Sequence, residues 1–311
     1  MYYRYFPLWC TFFEELGWSV IVSDGVGKTG KMIYFEDSCL PMKLLVTHVV
    51  SLKDKVDRLF VPRLVSLHRT YIMCPKFRGA PDIVRLATEG NISIIDETID
   101  LRTRKNSLLP SFIKIGEKLG ASKKETRQAF VKGEQSTFQL RKEWLDRINR
   151  LPLKHLFQLN IPAPSKGIRA TLRVAFVGHP YNLFDTDINK DVLTLTKNLG
   201  IEIVTSDSLS EKEIDRQISD LSKEIYWSSG REIVGALLHF LKGGVDGVVF
   251  LTSFKCGIDA LLQEFIKRSL KVQGGASIPF LVLSFDEHTG REGLITRLEA
   301  FKDVIEQRKR T

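Results

Sequence analysis

Cysteine is scarce in this chain, with 4 in 311 residues. That is too few for a disulfide-stapled scaffold. None of the four forms the Cys-x-x-Cys pair found in many zinc sites and redox-active thiols. Long apolar runs are missing too, and no stretch approaches the roughly 18 to 20 residues that a membrane helix needs. The opening Met1-Tyr2-Tyr3-Arg4-Tyr5-Phe6-Pro7 has no basic region leading into an apolar stretch, so no signal peptide is read. The expected compartment is therefore a reducing cytoplasm, where spaced cysteines serve as metal ligands or reactive thiols. Gly-x-Ser-x-Gly, His-Glu-x-x-His and a Cys–His pairing are all absent, so nothing marks a hydrolase.

What is present suits a globular protein. Apolar residues make up 43% of the chain, enough for real cores and against disorder. The length suits two ordinary domains or one large one. The net charge of +9 is localised. Between Arg102 and Lys154 there are 14 Lys and Arg against 5 Asp and Glu, and the rest of the chain balances. Such a segment is either a solvated helical face or a contact for an anionic partner. It lacks the Arg–aromatic interleaving of single-strand binders, which argues against nucleic acid.

Periodicity predicts alternating helices and strands at both ends. The first lobe, residues 1–100, reads as a helix over Tyr5–Gly17, strands at Trp18–Ser23 and Leu59–Val61, a helix over Cys39–Lys53, and a strand at Asn91–Ile95. Residues 101–169 read as a helical basic segment, with a capping box at Ser122-Lys123-Lys124-Glu125, followed by a Pro-rich linker over Leu151–Arg169. The second lobe, residues 170–311, reads as strands at Thr171–Gly178, Ile201–Thr205, Val248–Leu251 and Phe280–Ser284. Helices are expected over Asp187–Gly200, Glu232–Lys242, Cys256–Lys271 and Glu292–Arg308. This predicts an α/β protein of two Rossmann-like lobes with parallel sheets and a helical middle. Two phrases echo between the lobes in order: Leu16-Gly17-Trp18-Ser19-Val20 with Leu199-Gly200-Ile201-Glu202-Ile203, and Val56-Asp57-Arg58-Leu59-Phe60 with Val245-Asp246-Gly247-Val248-Val249. Two such lobes would present a cleft at their strand C-terminal edges, where open α/β sheets place ligands.

Cys39, Cys74 and Cys256 share an address near those edges, beside predicted helix starts or a loop after a strand. A helix N-terminus lowers a thiol's pKa, and converging thiolates suit a soft metal centre. The plain alternative for each is a small packed core residue. Cys10, crowded by Phe6, Trp9, Phe12 and Phe13, reads mainly as packing and only secondarily as a fourth ligand. Gly25-Val26-Gly27-Lys28-Thr29 follows a strand as a phosphate loop should, but Val22 stands where that motif needs its first glycine. His179-Pro180-Tyr181-Asn182 and Asp286-Glu287-His288-Thr289 follow strands and could tune or protonate a group at the cleft, or simply close loops. His48 and His239 read as packed and hydrogen-bonded.

Several segments together resemble the 2-hydroxyacyl-CoA dehydratase and benzoyl-CoA reductase component family, in particular its small activase-related members. They are Tyr5-Phe6-Pro7-Leu8-Trp9, Cys39-Leu40-Pro41-Met42-Lys43, Phe60-Val61-Pro62-Arg63, Cys74-Pro75-Lys76-Phe77, Gly178-His179-Pro180-Tyr181-Asn182, Cys256-Gly257 and Asp286-Glu287-His288-Thr289. The resemblance implies a [4Fe-4S] cluster held by Cys39, Cys74 and Cys256, and low-potential electron transfer or reductive chemistry of an anaerobic type. It also implies an ATP-dependent activase or a dehydratase-type subunit as partner, in a homo- or heterodimer. The alternative is a non-catalytic docking or electron-transfer subunit for such a system.

Overall fold

The computed structural model describes residues 2–23, 38–102, 107–148, 172–219, 221, 224–272 and 278–310. The chain divides into two compact units, residues 1–142 with 225–228, and residues 143–224 with 229–311.

The first unit carries α1 (Tyr2–Glu15), α2 (Leu40–Leu52), β1 (Arg58–Phe60), β2 (Arg63–Ser66), α3 (Pro75–Ala87), β3 (Ser93–Ile95), β4 (Thr98–Asp100), α4 (Leu109–Lys118) and the start of α5 (Lys123–Ile148). One core lies under α1. Leu8, Phe12 and Phe13 pack with Phe112 and Ile115 of α4 and with Ala129 and Phe130 of α5. The Phe12 and Phe112 rings meet edge-on at 4.7 Å, the arrangement their quadrupoles favour. The expected capping box opens α5. The Ser122 N–H donates to Glu125 Oε2 at 2.8 Å, and the Glu125 N–H donates to Ser122 Oγ at 3.3 Å. A second core joins Met42 and Val49 of α2, Ala80 and Val84 of α3, and Leu59 and Val61 at β1.

The strands of this unit form two parallel pairs, β1 with β3 and β2 with β4. They are halves of one interrupted ribbon. Between them the Val61 N–H still reaches Ile95 O at 3.0 Å, and the Arg63 N–H reaches Glu97 O at 3.2 Å. Pro62 between them has no N–H to offer, so the ladder breaks there. The strand expected at Trp18–Ser23 is not formed. Trp18 and Val20 pack against the α1 core, but residues 18–23 join no ladder among the described residues.

The second unit contains β5 (Leu172–Gly178), α6 (Pro180–Phe184), α7 (Thr186–Asn189), α8 (Val192–Asn198), β6 (Ile201–Thr205), α9 (Glu211–Ile218), α10 (Ser228–Lys242), β7 (Gly247–Ser253), α11 (Gly257–Val272), β8 (Phe280–Phe285) and α12 (Arg291–Arg310). Its four strands form one parallel sheet in the order β6-β5-β7-β8. Every residue of β7 is buried, as expected for a central strand covered on both faces. The chain moves outward from β5 to β6, then returns to the other side of β5 for β7. The C-terminal ends of β5 and β7 therefore flank a topological switch point, where loops diverge and leave a crevice.

The single helix expected over Asp187–Gly200 is two, α7 and α8. Lys190 and Asp191 between them take the left-handed conformation, with φ of +52° and +67°. Asn189 accounts for the break. Its side-chain amide donates to the carbonyls of Asn182 and Leu183, and its Oδ1 accepts the Asp191 N–H at 2.8 Å. Parallel pairing in both units establishes the α/β class.

Candidate metal centre

None of the four cysteines is in a disulfide. Cys39, Cys74 and Cys256 each immediately precede a helix. Their carbonyls accept the first intrahelical bonds, from Lys43 at 3.3 Å, Arg78 at 3.4 Å and Ala260 at 3.1 Å. Cys39 and Cys74 are the N-cap residues of α2 and α3, and a proline stands in the first turn of each helix. Proline is harmless there, because its missing N–H has no partner within the helix.

The first unit brings Cys39 and Cys74 close enough to interact. Burial pushes the Cys39 thiol above its ordinary pKa, and negative charge on Cys74 adds to the rise. The Met42 backbone amide and the Lys76 ammonium pull the other way but do not cancel it. The lowering expected from a helix N-terminus is therefore overridden at Cys39 by desolvation, which penalises the thiolate. A bound cation would reverse that balance, since coordination deprotonates a thiol outright. Beside Cys74, a pocket of about 310 Å³ is lined by Arg63, Val65, Pro75, Arg78 and Gly79.

Cys10 lies on α1. Its thiol is pushed up to about 11, first by burial, then by the charge of Glu14 and a hydrogen bond to it.

The second unit gathers a different set of groups at its switch point. Gly178 ends β5 against β7, where a Cβ would sit 2.6 Å from the Leu251 carbonyl oxygen, so only glycine fits. The next residue, His179, is 3% exposed, and its ring stacks on Tyr181 at 4.8 Å. His179 Nε2 lies 2.7 Å from Asp259 Oδ1. Asp259 stands on the first turn of α11 and is 1% exposed. The Thr252 hydroxyl donates to its second oxygen at 2.9 Å. Ligand atoms of His179, Cys256 and Asp259 all lie within 4.8 Å of one another.

Next to this cluster, Asn182 braces the same edge. Its amide donates to Leu251 O at 3.2 Å, and its Oδ1 accepts the Ser253 hydroxyl at 2.6 Å.

Asp259 and Thr252 did not stand out in the sequence. The available signal was spacing, since Cys256 and Asp259 are three apart at a helix start and so share one face. Asp286 and Thr289 bond each other through Oδ1 and Oγ1 at 2.8 Å, a closed turn ahead of α12. His48 Nδ1 lies 2.8 Å from Ser23 Oγ. The glycine-rich stretch Gly25–Thr29 and the linker Leu151–Arg169 lie outside the described residues.

No helix of the described residues is long and apolar enough to cross a membrane. No curated protein sequence matches the chain. Residues 1–209 match a family described as the CoA enzyme activase uncharacterised domain, a stretch that includes Cys39, Cys74 and His179 and ends before Cys256 and Asp259. With about two thirds of its length so matched, the chain belongs to the CoA enzyme activase-related family.

Proposed function

We propose that this protein is an iron–sulfur component of a CoA-substrate activase or dehydratase system. In this reading Cys39, Cys74 and Cys256 ligate a [4Fe-4S] cluster. The observation that carries the proposal is the shared placement of Cys39 and Cys74. Two thiols 35 residues apart in sequence are the N-cap residues of α2 and α3, and charge on the second raises the pKa of the first. Soft thiolate donors suit iron–sulfur chemistry, and helix N-termini offset the anionic charge of such a ligand set. Family membership points to the system, and the sequence resemblance supplies the third thiolate, Cys256. A bound cluster would supply one-electron transfer at low potential, tuned by exposure and by hydrogen bonds to its sulfurs. The Met42 backbone amide donates to the Cys39 sulfur, and Lys76 sets positive charge beside it. The reading places the protein in a reducing, cytoplasmic and anaerobic setting, with an ATP-dependent activase or a dehydratase-type subunit as partner.

A second reading, a docking or electron-transfer subunit without turnover of its own, is favoured by α5. Lys123, Lys124, Arg127 and Lys132 are exposed along it, and Phe138 is 77% exposed. Lys132 is paired with Glu15 at 2.6 Å, so Lys123, Lys124 and Arg127, with Phe138 as an apolar anchor, are the contacts offered to an acidic partner, and its binding should weaken with salt.

Anaerobic purification and reconstitution test the cluster directly. Iron and acid-labile sulfide should appear in equal amounts, with loss on Cys256→Ser and retention on Cys10→Ser. A colourless protein without sulfide would overturn the reading. An intact cluster in Cys256→Ser would overturn the ligand assignment.

A further inference from the structure

We infer that the switch point of the second unit is a mononuclear metal site in its own right, where Cys256, His179 and Asp259 hold a single borderline divalent cation of the zinc class. The site stands on the second unit alone and does not depend on a cluster.

Three observations converge. The first is the donor set. One thiol, one imidazole and one carboxylate, with ligand atoms within 4.8 Å of one another, match the mixed sulfur, nitrogen and oxygen coordination that zinc accepts. The second is burial. The imidazole and the carboxylate are 3% and 1% exposed, while Cys256 is only half-buried and leaves an approach from solvent. The third is support from outside the donor set. Thr252 fixes the carboxylate through its far oxygen, and the ring of His179 is held by its stack on Tyr181. Metal-site carboxylates and imidazoles are held by such outer partners, which preset their orientation.

The contact between His179 Nε2 and Asp259 Oδ1, at 2.7 Å, is the metal-free form of the site. A cation bound between those two atoms would take His179 as the Nδ1–H tautomer, the shared proton moving from Nε2 to Nδ1, while the Cys256 thiol would lose its own proton to solvent as three ligand bonds form. Zinc–nitrogen and zinc–oxygen bonds of about 2 Å require the pair to open by only about 0.5 Å. Three protein ligands leave a fourth position open, the pattern of a reactive rather than a purely structural site. Because Cys256 is the shared ligand, this cation and an iron–sulfur cluster exclude one another there.

Cobalt(II) is the probe, titrated anaerobically into the full-length protein after chelation. A thiolate-to-cobalt charge-transfer band should appear at one equivalent. Cys256→Ser should abolish it. His179→Gln and Asp259→Asn should each weaken cobalt affinity at least about tenfold, and Thr252→Val by about tenfold as the loss of an outer partner. Cys39→Ser and Cys74→Ser should leave the band unchanged, although both should remove a cluster. The absence of a band in the wild type overturns the site, whatever becomes of the variants. So does a band that survives Cys256→Ser, or one that disappears in Cys39→Ser or Cys74→Ser. Circular dichroism of each variant separates loss of binding from loss of fold.

Discussion

The same phrase, Leu-Gly followed by alternating apolar residues, has two fates in this molecule. After α8, Gly200 takes φ +78° and the chain enters β6, which pairs with β5 over five residues. After α1, Gly17 takes φ +84° in the same way, yet residues 18–23 join no described ladder. The helix stop is local chemistry and is shared, because glycine alone pays little for a positive φ. The strand depends on a neighbour. In the second unit β5 offers a free edge, and in the first the nearest strands form a narrow ribbon cut at Pro62. The contrast extends to the candidate ligands. His179 and Asp259 rest on a four-stranded sheet and are locked by buried hydrogen bonds. Cys39 and Cys74 rest on helix N-termini above a two-stranded ribbon.

If that contrast is right, stability should be uneven. The largest effect is expected from Phe250→Ala. Phe250 is fully buried in β7, and its removal should cost about 4 kcal/mol in denaturant unfolding. Leu59→Ala in β1 should cost about 2.5 kcal/mol, since its surroundings can collapse more readily. An equal or reversed order would break the comparison. Hydrogen exchange sharpens it, because amides of β7 should exchange more slowly than those of β1 and β3. Gly178→Ala comes next, at about 2 kcal/mol. The clash it creates is with backbone, which cannot turn aside as a side chain can. The same substitution should weaken cobalt binding by displacing His179, and wild-type affinity in Gly178→Ala would show that the close approach of β5 and β7 does not position the ligand.

Much of this architecture was legible in the sequence because it is local. Glycine stops, the Ser122–Glu125 capping box and fully apolar strands such as Val248–Leu251 are written in adjacent residues. The losses came where distant partners decide. β2 and β4 went unread although they are no shorter than β1 and β3, because Pro62 after β1 reads as a loop signal while the ribbon resumes beyond it. The break between α7 and α8 follows from Asn189 reaching back to Asn182, a tertiary bond that outweighs helical periodicity. His179 was visible as a loop residue of uncertain role, but its partner lies 80 residues further on. No spacing rule links the two, because only the pairing of β5 with β7 puts them side by side. Cys39 and Cys256 were legible by their position before helices, since that position is itself local, whereas Cys74 read as a loop residue after a strand and the helix it opens, α3, was not expected.

The smallest expected effect separates the units by acid. In the first unit Asp82, Asp96 and Asp100, each beside an arginine, sit below their ordinary range. The Arg63 guanidinium lowers Asp82 and the Arg102 guanidinium lowers Asp100; at Asp96 burial pulls upward, but Arg85 and Lys118 outweigh it. A depressed carboxyl stabilises the fold above its unfolded pKa of about 4, and that contribution is lost as pH falls through the lower folded value. The Asp82 carboxylate is 56% exposed, while Asp96 and Asp100 are partly covered at 25% and 13% beside arginines that are themselves solvent-facing, so screening holds each pair to about 1 kcal/mol or less. Between pH 5 and pH 3 the melting temperature of the wild type should therefore fall by a few degrees. Arg63→Gln with Arg102→Gln should start lower at pH 5 and fall less, because the carboxyls then titrate near their unfolded values. Raising the salt should shrink the difference between wild type and variant. An identical acid slope in the two proteins would show that these pairs contribute nothing to the ribbon, and that its packing alone holds the first unit.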